Sequence, residues 1–249
     1  MVAIRLNKYL SEQGFCSRRE ADRLIEAGEV TIDGRRAMVG EKVTGEELIF
    51  CSGKLVGGET GPRKIKAVLL AVNKPKGVVC TTSDKDRAPN VVELVGYPER
   101  IYPIGRLDKD SEGLLLMTNQ GELANQIIHA GNLHEKEYLV TVDSLINEAF
   151  LKKMREGVEL KELGEITRPC RVDWEGKRTF RIVLTQGLNR QIRRMCETLG
   201  YHVIALKRIR IMNIHLGKLN TGDYRNVTWE EWKELERRLQ EGNDDGSDN

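Results

Sequence analysis

Asp108 sits in the stretch Ile104-Gly-Arg-Leu-Asp-Lys-Asp-Ser-Glu-Gly-Leu-Leu-Leu-Met-Thr-Asn119, a polar turn that opens onto an apolar run. Arg106 lies two positions before it, and Gly105 and Gly113 flank it. A lone Asp in a turn is ordinary, because its side chain bonds nearby backbone. The chain after it changes that reading. Between residues 177 and 210, Lys177, Arg178, Arg181, Arg190, Arg193, Arg194, Lys207, Arg208 and Arg210 stand against Glu197 alone. Such a local field neutralises phosphates, so one carboxylate beside it suggests chemistry on a polyanion.

A helix expected over Asn189–Leu199 sets how these groups meet. Ile192, Met195, Cys196 and Leu199 recur at i, i+3, i+4 and i+7 and form its buried stripe. Arg190, Arg193, Arg194 and Glu197 repeat that spacing on the adjacent face. Arg193 therefore falls at the edge of the buried stripe, where it can reach an internal carboxylate, and periodicity alone leaves open whether that carboxylate is Asp108. An exposed pair would contribute about 0–1 kcal/mol, whereas a desolvated one would hold Asp108 ionised at neutral pH. By pattern alone Tyr138 is an ordinary strand aromatic. His129 and His134 flank a loop and read as structural or surface residues. Trp174, Trp229 and Trp232 read as core or interface packing.

The positioning elements follow from periodicity and capping signals. Strands are expected at Ala67–Asn73, Gly77–Thr82, Gly113–Thr118, Lys136–Val142, Arg178–Thr185 and His202–Arg210, with helices at Glu122–Ala130, Asn147–Glu156, Asn189–Leu199 and Trp229–Leu239. Thr228 and Glu231 form a capping box for the last helix. Strands and helices mix without regular alternation, so an α+β class fits better than a doubly wound sheet. Before them, Leu6, Tyr9 and Leu10 mark a first helix, the box Ser17-Arg-Arg-Glu20 starts a second, and Gly28 ends it. Val30-Thr-Ile32 and the Asp33-Gly34 turn begin short strands. Residues 1–56 thus form a small α/β unit, 57–66 a Gly-rich linker, 67–240 the larger domain and 241–249 a disordered acidic tail.

The net charge of +2 over 249 residues understates the basic body, since Glu241, Asp244, Asp245 and Asp248 lie in the tail with no base beside them. Five cysteines without a Cys-x-x-Cys pair, and only four histidines, give no metal-ligand spacing and suit a reducing cytoplasm. No P-loop, signal-peptide or membrane-spanning pattern is present.

Two resemblances sharpen this reading. From Arg5 to about Val43 the chain resembles the RNA-binding domain of small-subunit ribosomal protein S-four. The shared features are the Arg-Leu-Asn-Lys-Tyr-Leu opening, the Ser-Arg-Arg-Glu-Ala cap and the Gly-Glu-Val…Asp-Gly strand-turn. That resemblance implies RNA contacts from Arg5, Lys8, Arg18, Arg19, Arg23 and Arg35, with phosphates at the N-terminus of the second helix. Gly105-Arg-Leu-Asp108, Lys136-Glu-Tyr138 and Asn189-Arg-Gln-Ile-Arg-Arg194 resemble three active-site motifs of the pseudouridine synthases. The branch is the one that modifies ribosomal RNA behind an S-four-like domain, and Lys74-Pro-Lys-Gly77 matches a further element of it. Lys109-Asp110-Ser111 and His134-Glu-Lys-Glu-Tyr138 look most like its RluF type, which acts on large-subunit (23S) rRNA.

The resemblance implies that Asp108 acts at the ribose anomeric carbon, as a nucleophile or in elimination to a glycal. It implies that Tyr138 lies against the flipped uracil and helps remove the C5 proton, and that Arg193 pairs with Asp108. Ile192 would pack on the base, Arg106 would hold the backbone or prop open the duplex, and Lys74, Arg190 and Arg194 would bind substrate. An isomerisation needs no cofactor or metal. The expected partner is 23S rRNA or its precursor particle, and the expected state a cytoplasmic monomer. Alternatives are a non-catalytic ribosome-binding or assembly factor, and a synthase acting on small-subunit rRNA or tRNA. A glycoside-cleaving enzyme would want two placed carboxylates; Asp110 and Glu112 lie near, without such a role in the motif. Leu188 stands where many relatives carry a basic residue, and the short acidic end replaces the long basic extension of some relatives.

Overall fold

The computed structural model describes residues 2–58, 66–81, 88–128 and 133–244, with the side chains of 242–244 excepted. The chain forms two units, one dominated by the residues before Leu69 and one by those after it.

The first unit runs β1 (Ile4–Arg5), α1 (Leu6–Glu12), α2 (Arg18–Ala27), β2 (Val30–Ile32), β3 (Arg35–Arg36), β4 (Lys42–Val43), β5 (Ile49–Cys51) and β6 (Lys54–Gly57). Strands β3-β2-β5-β6 make a small sheet, and β1 pairs with β4. Leu6, Tyr9 and Leu10 of α1 bury against Ala21 and Ile25 of α2 and against Val30, Ile32 and Ile49 of the sheet. The Ser17 hydroxyl accepts from the Glu20 amide at 3.1 Å, the first half of the expected capping box. The reciprocal half is replaced: the Glu20 carboxylate pairs with Arg23. Gly28 closes α2 at φ 80°, a left-handed cap.

The second unit contains β7 (Leu69–Lys74), α3 (Val91–Val95), β8 (Tyr102–Ile104), β9 (Glu112–Thr118), α4 (Gly121–Ile128), β10 (Lys136–Val142), α5 (Glu148–Glu156), β11 (Glu159–Leu160), β12 (Glu165–Ile166), β13 (Arg171–Gly176), β14 (Thr179–Leu184), α6 (Gln191–Thr198), β15 (Val203–Ile211), β16 (Ile214–His215), β17 (Tyr224–Asn226) and α7 (Trp229–Asp244). A mixed, largely antiparallel sheet orders the strands β13-β14-β10-β15-β9-β7-β17, with β16 on β15 and β8 on β9. The β9–β15 contact is parallel. Central β7 is buried along its whole length and β9 from Gly113 to Thr118, with apolar runs Leu69–Val72 and Leu114–Met117, because both faces are covered.

Two apolar clusters serve the two halves of the sheet. One packs Phe150, Leu151 and Met154 of α5 and Met195 and Cys196 of α6 against Val140, Phe180 and Ile182. The other packs Ala124 and Ile127 of α4 and Leu235 and Leu239 of α7 against Leu69, Leu114 and Leu116. Among the described residues no helix is long and apolar enough to cross a membrane.

Several expectations are corrected. No strand forms at Gly77–Val79: after the Lys74–Gly77 turn only Val79 bridges, to Asn90. That bridge consists of the Val79 amide donating to the Pro89 carbonyl and the Val91 amide donating to that of Val79, while the Gly77 amide is drawn to the Lys109 carbonyl. Strands β8, β13 and β17 were not expected from periodicity, being short or interrupted by Pro, Trp and Asn. Trp174 and Trp229 are exposed, so neither is core. Helix α7 continues to Asp244, four residues into the expected tail, extending Glu234–Arg237 and Arg237–Glu241 pairing along one face. Residues 245–249, most of the expected linker and His129 lie outside the described residues.

Candidate active site

A cavity of about 370 Å³ opens in the second unit between the two apolar clusters. Its walls come from the β8–β9 turn (Gly105, Arg106, Leu107, Asp108, Ser111), His134 just before β10 with Lys136 and Tyr138 in it, the segment from Leu184 to Arg193, and Leu206, Arg208 and Ile211 of β15. Cavities of this size hold small organic ligands. Motifs distant in sequence thus converge because β10, β15 and β9 are neighbours in the sheet.

Asp108 begins a tight turn, closed by the Ser111 amide donating to its carbonyl at 3.0 Å. The turn has three supports. Gly77 donates to the Lys109 carbonyl at 2.7 Å. The Cys80 thiol lies 3.2 Å from the Leu107 carbonyl. Arg193, 7% exposed, grips the far side, donating to the Asp110 carbonyl at 3.2 Å, the Ser111 hydroxyl at 3.3 Å and the Val203 carbonyl at 3.2 Å.

The expected Arg193–Asp108 pair is therefore corrected. Arg193 pairs with the Asp110 carboxylate, at 3.4 Å. The cation nearest Asp108 is Arg190, whose guanidinium lies 3.8 Å from it and binds Asp110 through both terminal nitrogens at 3.3 and 3.2 Å. The physical reason lies at the N-terminus of α6. Arg190 caps the helix at φ 49°, a left-handed conformation uncommon outside glycine, and this turns its side chain over the β8–β9 turn. The motif gives Asp110 no role, yet it is the carboxylate both guanidiniums hold. Burial alone would raise its pKa, but Arg190 and Arg193 outweigh that and hold it below the ordinary carboxylate value.

The remaining expected site residues divide. Arg106, Tyr138 and Ile192 line the cavity with Asp108, Arg190 and Arg193. Arg194 does not: it pairs with Glu162 and donates to the Asn189 carbonyl at 3.1 Å, bracing the loop before α6. Lys74 is 0% exposed, and its ammonium donates to the carbonyls of Pro75 at 2.8 Å and Val78 at 2.9 Å. Burial pushes its pKa down. It stabilises the turn that supports Asp108 from behind, and touches no cavity wall.

His134, read from sequence as structural or surface, lines the cavity with Lys136 and Arg208. The signal for it was available. Lys136 and Tyr138 alternate in β10, so the strand directs both to one face, and His134 continues that spacing in the segment before it. Arg208 donates to the carbonyls of Leu114 at 2.7 Å and Arg106 at 3.4 Å. Burial, then the Arg208 charge, push the Lys136 pKa down.

In the first unit Arg5, Arg18, Arg19, Arg23 and Arg35 are exposed. Arg23 pairs with Glu20, Arg35 with Glu41 and Lys8 with Glu12. Arg18 and Arg19, in the first turn of α2, have no ion-pair partner among the described residues.

Among the described residues Asp108 is the one carboxylate lining the cavity, and comparison with known proteins gives this arrangement its class. Residues 68–198 match the RNA pseudouridylate synthase family and residues 4–49 match the S4 domain. The chain belongs to the RNA pseudouridylate synthase family. It is 51% identical over 235 residues to the dual-specificity RNA pseudouridine synthase RluF of Salmonella typhi, covering 94% of this chain and 79% of that protein. It is 39% identical over 240 residues to the ribosomal large subunit pseudouridine synthase B of Bacillus subtilis, covering 93% and 95%. A crystal structure of a pseudouridylate synthase superposes with a TM-score of 0.68 at 27% identity, over 93% of this chain and 99% of that one.

Proposed function

We propose that this enzyme converts a uridine of large-subunit ribosomal RNA to pseudouridine, with Asp108 as the essential carboxylate. The observation that carries the proposal is the convergence of Asp108, Tyr138 and Ile192 on one cavity beside a cationic wall. The relative named as a ribosomal large subunit synthase favours large-subunit (23S) rRNA as substrate.

In this reading the target nucleotide leaves the RNA stack and enters the cavity, at a cost of a few kcal/mol that phosphate contacts offset. Asp108 acts at C1′ as the bond from C1′ to N1 breaks. The uracil turns and a bond forms from C1′ to C5. The proton on C5 leaves with help from Tyr138, and N1 ends protonated, so no atom is gained or lost. Ile192 packs against the base. Arg193 and Lys74 act through the turn that carries Asp108, and Arg190 sets the charge beside it. Arg106, exposed at the rim, contacts the RNA backbone. The first unit supplies phosphate contacts through Arg18 and Arg19 at the start of α2, and through the exposed Arg5.

The test is tritium release from rRNA labelled at uridine C5, with native protein and Asp108→Asn. Release by the native protein alone is expected, with the RNA affinity of the variant unchanged. A loss of three orders of magnitude corresponds to about 4 kcal/mol of transition-state stabilisation. Turnover by Asp108→Asn would overturn the assignment. Because the RluF relatives are named dual-specificity, tRNA belongs in the same assay.

A further inference from the structure

The cavity holds polar groups that bond breaking at C1′ does not use. His134 is 7% exposed and Arg208 3%, and both line the cavity. Arg208 stands opposite Tyr138 in the β10–β15 pairing. Each leaves a nitrogen unsatisfied: Nε2 of His134 and Nη2 of Arg208 are buried without a hydrogen-bond partner. Buried side-chain polar atoms without partners are uncommon, and three residues lining this cavity carry one. The third, Nε of Arg193, belongs to the guanidinium that already holds the Asp110–Ser111 turn, so His134 and Arg208 are the two that require an explanation.

The chemistry of the two nitrogens is fixed by their other contacts. Nδ1 of His134 lies 3.2 Å from the Ile127 carbonyl oxygen, which can only accept. In the neutral ring the hydrogen therefore sits on Nδ1, and Nε2 offers a bare lone pair. Burial and the neighbouring Lys136 charge push the ring's pKa down, against the bond to Ile127, which keeps the ring neutral near pH 7. Nη2 of Arg208 can only donate, and its Nε and Nη1 are occupied by the Leu114 and Arg106 carbonyls. These two nitrogens thus offer one acceptor and one donor.

We infer that His134 and Arg208 read the edge of the extruded uracil, His134 Nε2 accepting from N3–H and Arg208 Nη2 donating to a flanking carbonyl oxygen. This inference rests on the uridine reading of the cavity given above. Uracil presents acceptor, donor, acceptor along that edge. Cytosine places a bare N3 there and an amino group at C4, so its lone pair meets that of His134. The pair therefore selects uridine over cytidine. Neither residue touches the atoms whose bonds change, so both are specificity-determining rather than catalytic.

The test uses a synthetic stem-loop spanning the mapped target uridine, made with uridine or with 3-methyluridine at that position. Single-turnover rates of pseudouridine formation are compared within each variant, so a partial loss of folded protein cancels from the ratio. The native enzyme should process the methylated target about 100-fold more slowly, because a site built to pair an N–H rejects the analogue lacking it. His134→Ala removes the acceptor and makes room for the methyl group. It should slow the uridine substrate by about 10- to 100-fold and collapse the ratio towards one. His134→Leu makes the same comparison if the alanine variant does not fold. His134→Gln restores an acceptor and should restore discrimination. An active His134→Ala or His134→Leu enzyme with the native ratio overturns this inference alone. Failure of the native protein to convert any rRNA or tRNA uridine overturns the uridine reading, and this inference with it.

Discussion

Arg193 holds Asp110, two residues beyond the carboxylate it was expected to pair with, and through it holds the whole turn that presents Asp108. Arg190 reaches the same turn from the solvent side. One buried and one half-exposed guanidinium therefore share a carboxylate, and their contributions separate by burial.

Arg193→Met should lower stability by about 2 kcal/mol, since it leaves two carbonyls, a buried hydroxyl and a carboxylate without their charged donor. Arg190→Met should cost about 0–1 kcal/mol, as exposed pairs do. Both should reduce turnover in the tritium-release assay. Urea unfolding distinguishes them, and equal destabilisation by the two variants would contradict the division of labour.

Asp110→Asn should leave RNA affinity unchanged and slow turnover by about 10- to 100-fold, the effect of a small misplacement at the reacting group. Filter binding and single-turnover rates measured together check this. A fall in affinity with unchanged rate would mean that the Arg190–Asp110 pair organises RNA contacts instead.

How legible was this site? Apolar periodicity placed β10, β15 and α6 to within a few residues, because each buries a regular stripe such as Ile192, Met195 and Cys196. The motifs placed Asp108, Tyr138 and Arg193 in one cavity. The choice of partner within the Arg cluster was not legible. Asp108 and Asp110 differ by two positions in a turn, and the selection depends on the left-handed backbone of Arg190, which no periodic pattern announces. Lys74 was misplaced for a related reason. The resemblance gives it a substrate-binding role, yet two carbonyls of its own turn satisfy its ammonium in the interior.

Gly113 marks the place where β9 and β15 lie too close for a side chain. At φ 106°, a Cβ there would sit 2.3 Å from the Arg208 carbonyl oxygen. Gly113→Ala must part the two strands and strain the backbone, at a cost of about 1–3 kcal/mol from each source. It should also displace Arg208 at the cavity wall, so activity should fall further than the lost folded fraction accounts for. Thermal melting beside single-turnover rates checks both parts.

Acid should weaken the β10–β14–β15 region through Glu137. Burial would raise its pKa, but hydrogen bonds from Arg210 and Arg181 outweigh that and hold it below 4.5. The folded state therefore binds the proton less readily than the unfolded chain. This stabilisation is present above pH 4.5 and is lost as pH falls through the folded value. Glu137→Gln should cost about 3 kcal/mol at pH 7, since Arg210 is also buried. It should also flatten the acid limb of urea midpoints measured from neutral to acid pH. A limb of native steepness in the variant would move the origin of acid sensitivity elsewhere.

The basic face of the first unit separates in the same way, by who already holds a partner. Arg23, Arg35 and Lys8 are neutralised by Glu20, Glu41 and Glu12, so binding a phosphate must first loosen an existing pair. Arg18 and Arg19 carry no such cost, and they stand in the first turn of α2, where unpaired amides and the helix dipole already favour an anion. Replacing both with Ala should weaken rRNA binding and reduce the slope of log affinity against log salt by about one to two units, the loss of one or two phosphate contacts. Arg23→Ala, which also frees the carboxylate of Glu20, should change the slope less. The catalytic step on bound RNA should keep its rate in the double variant, since neither residue belongs to the cavity. An unchanged salt slope would show that phosphates do not meet this helix, and would leave recognition to the basic residues between Lys177 and Arg210.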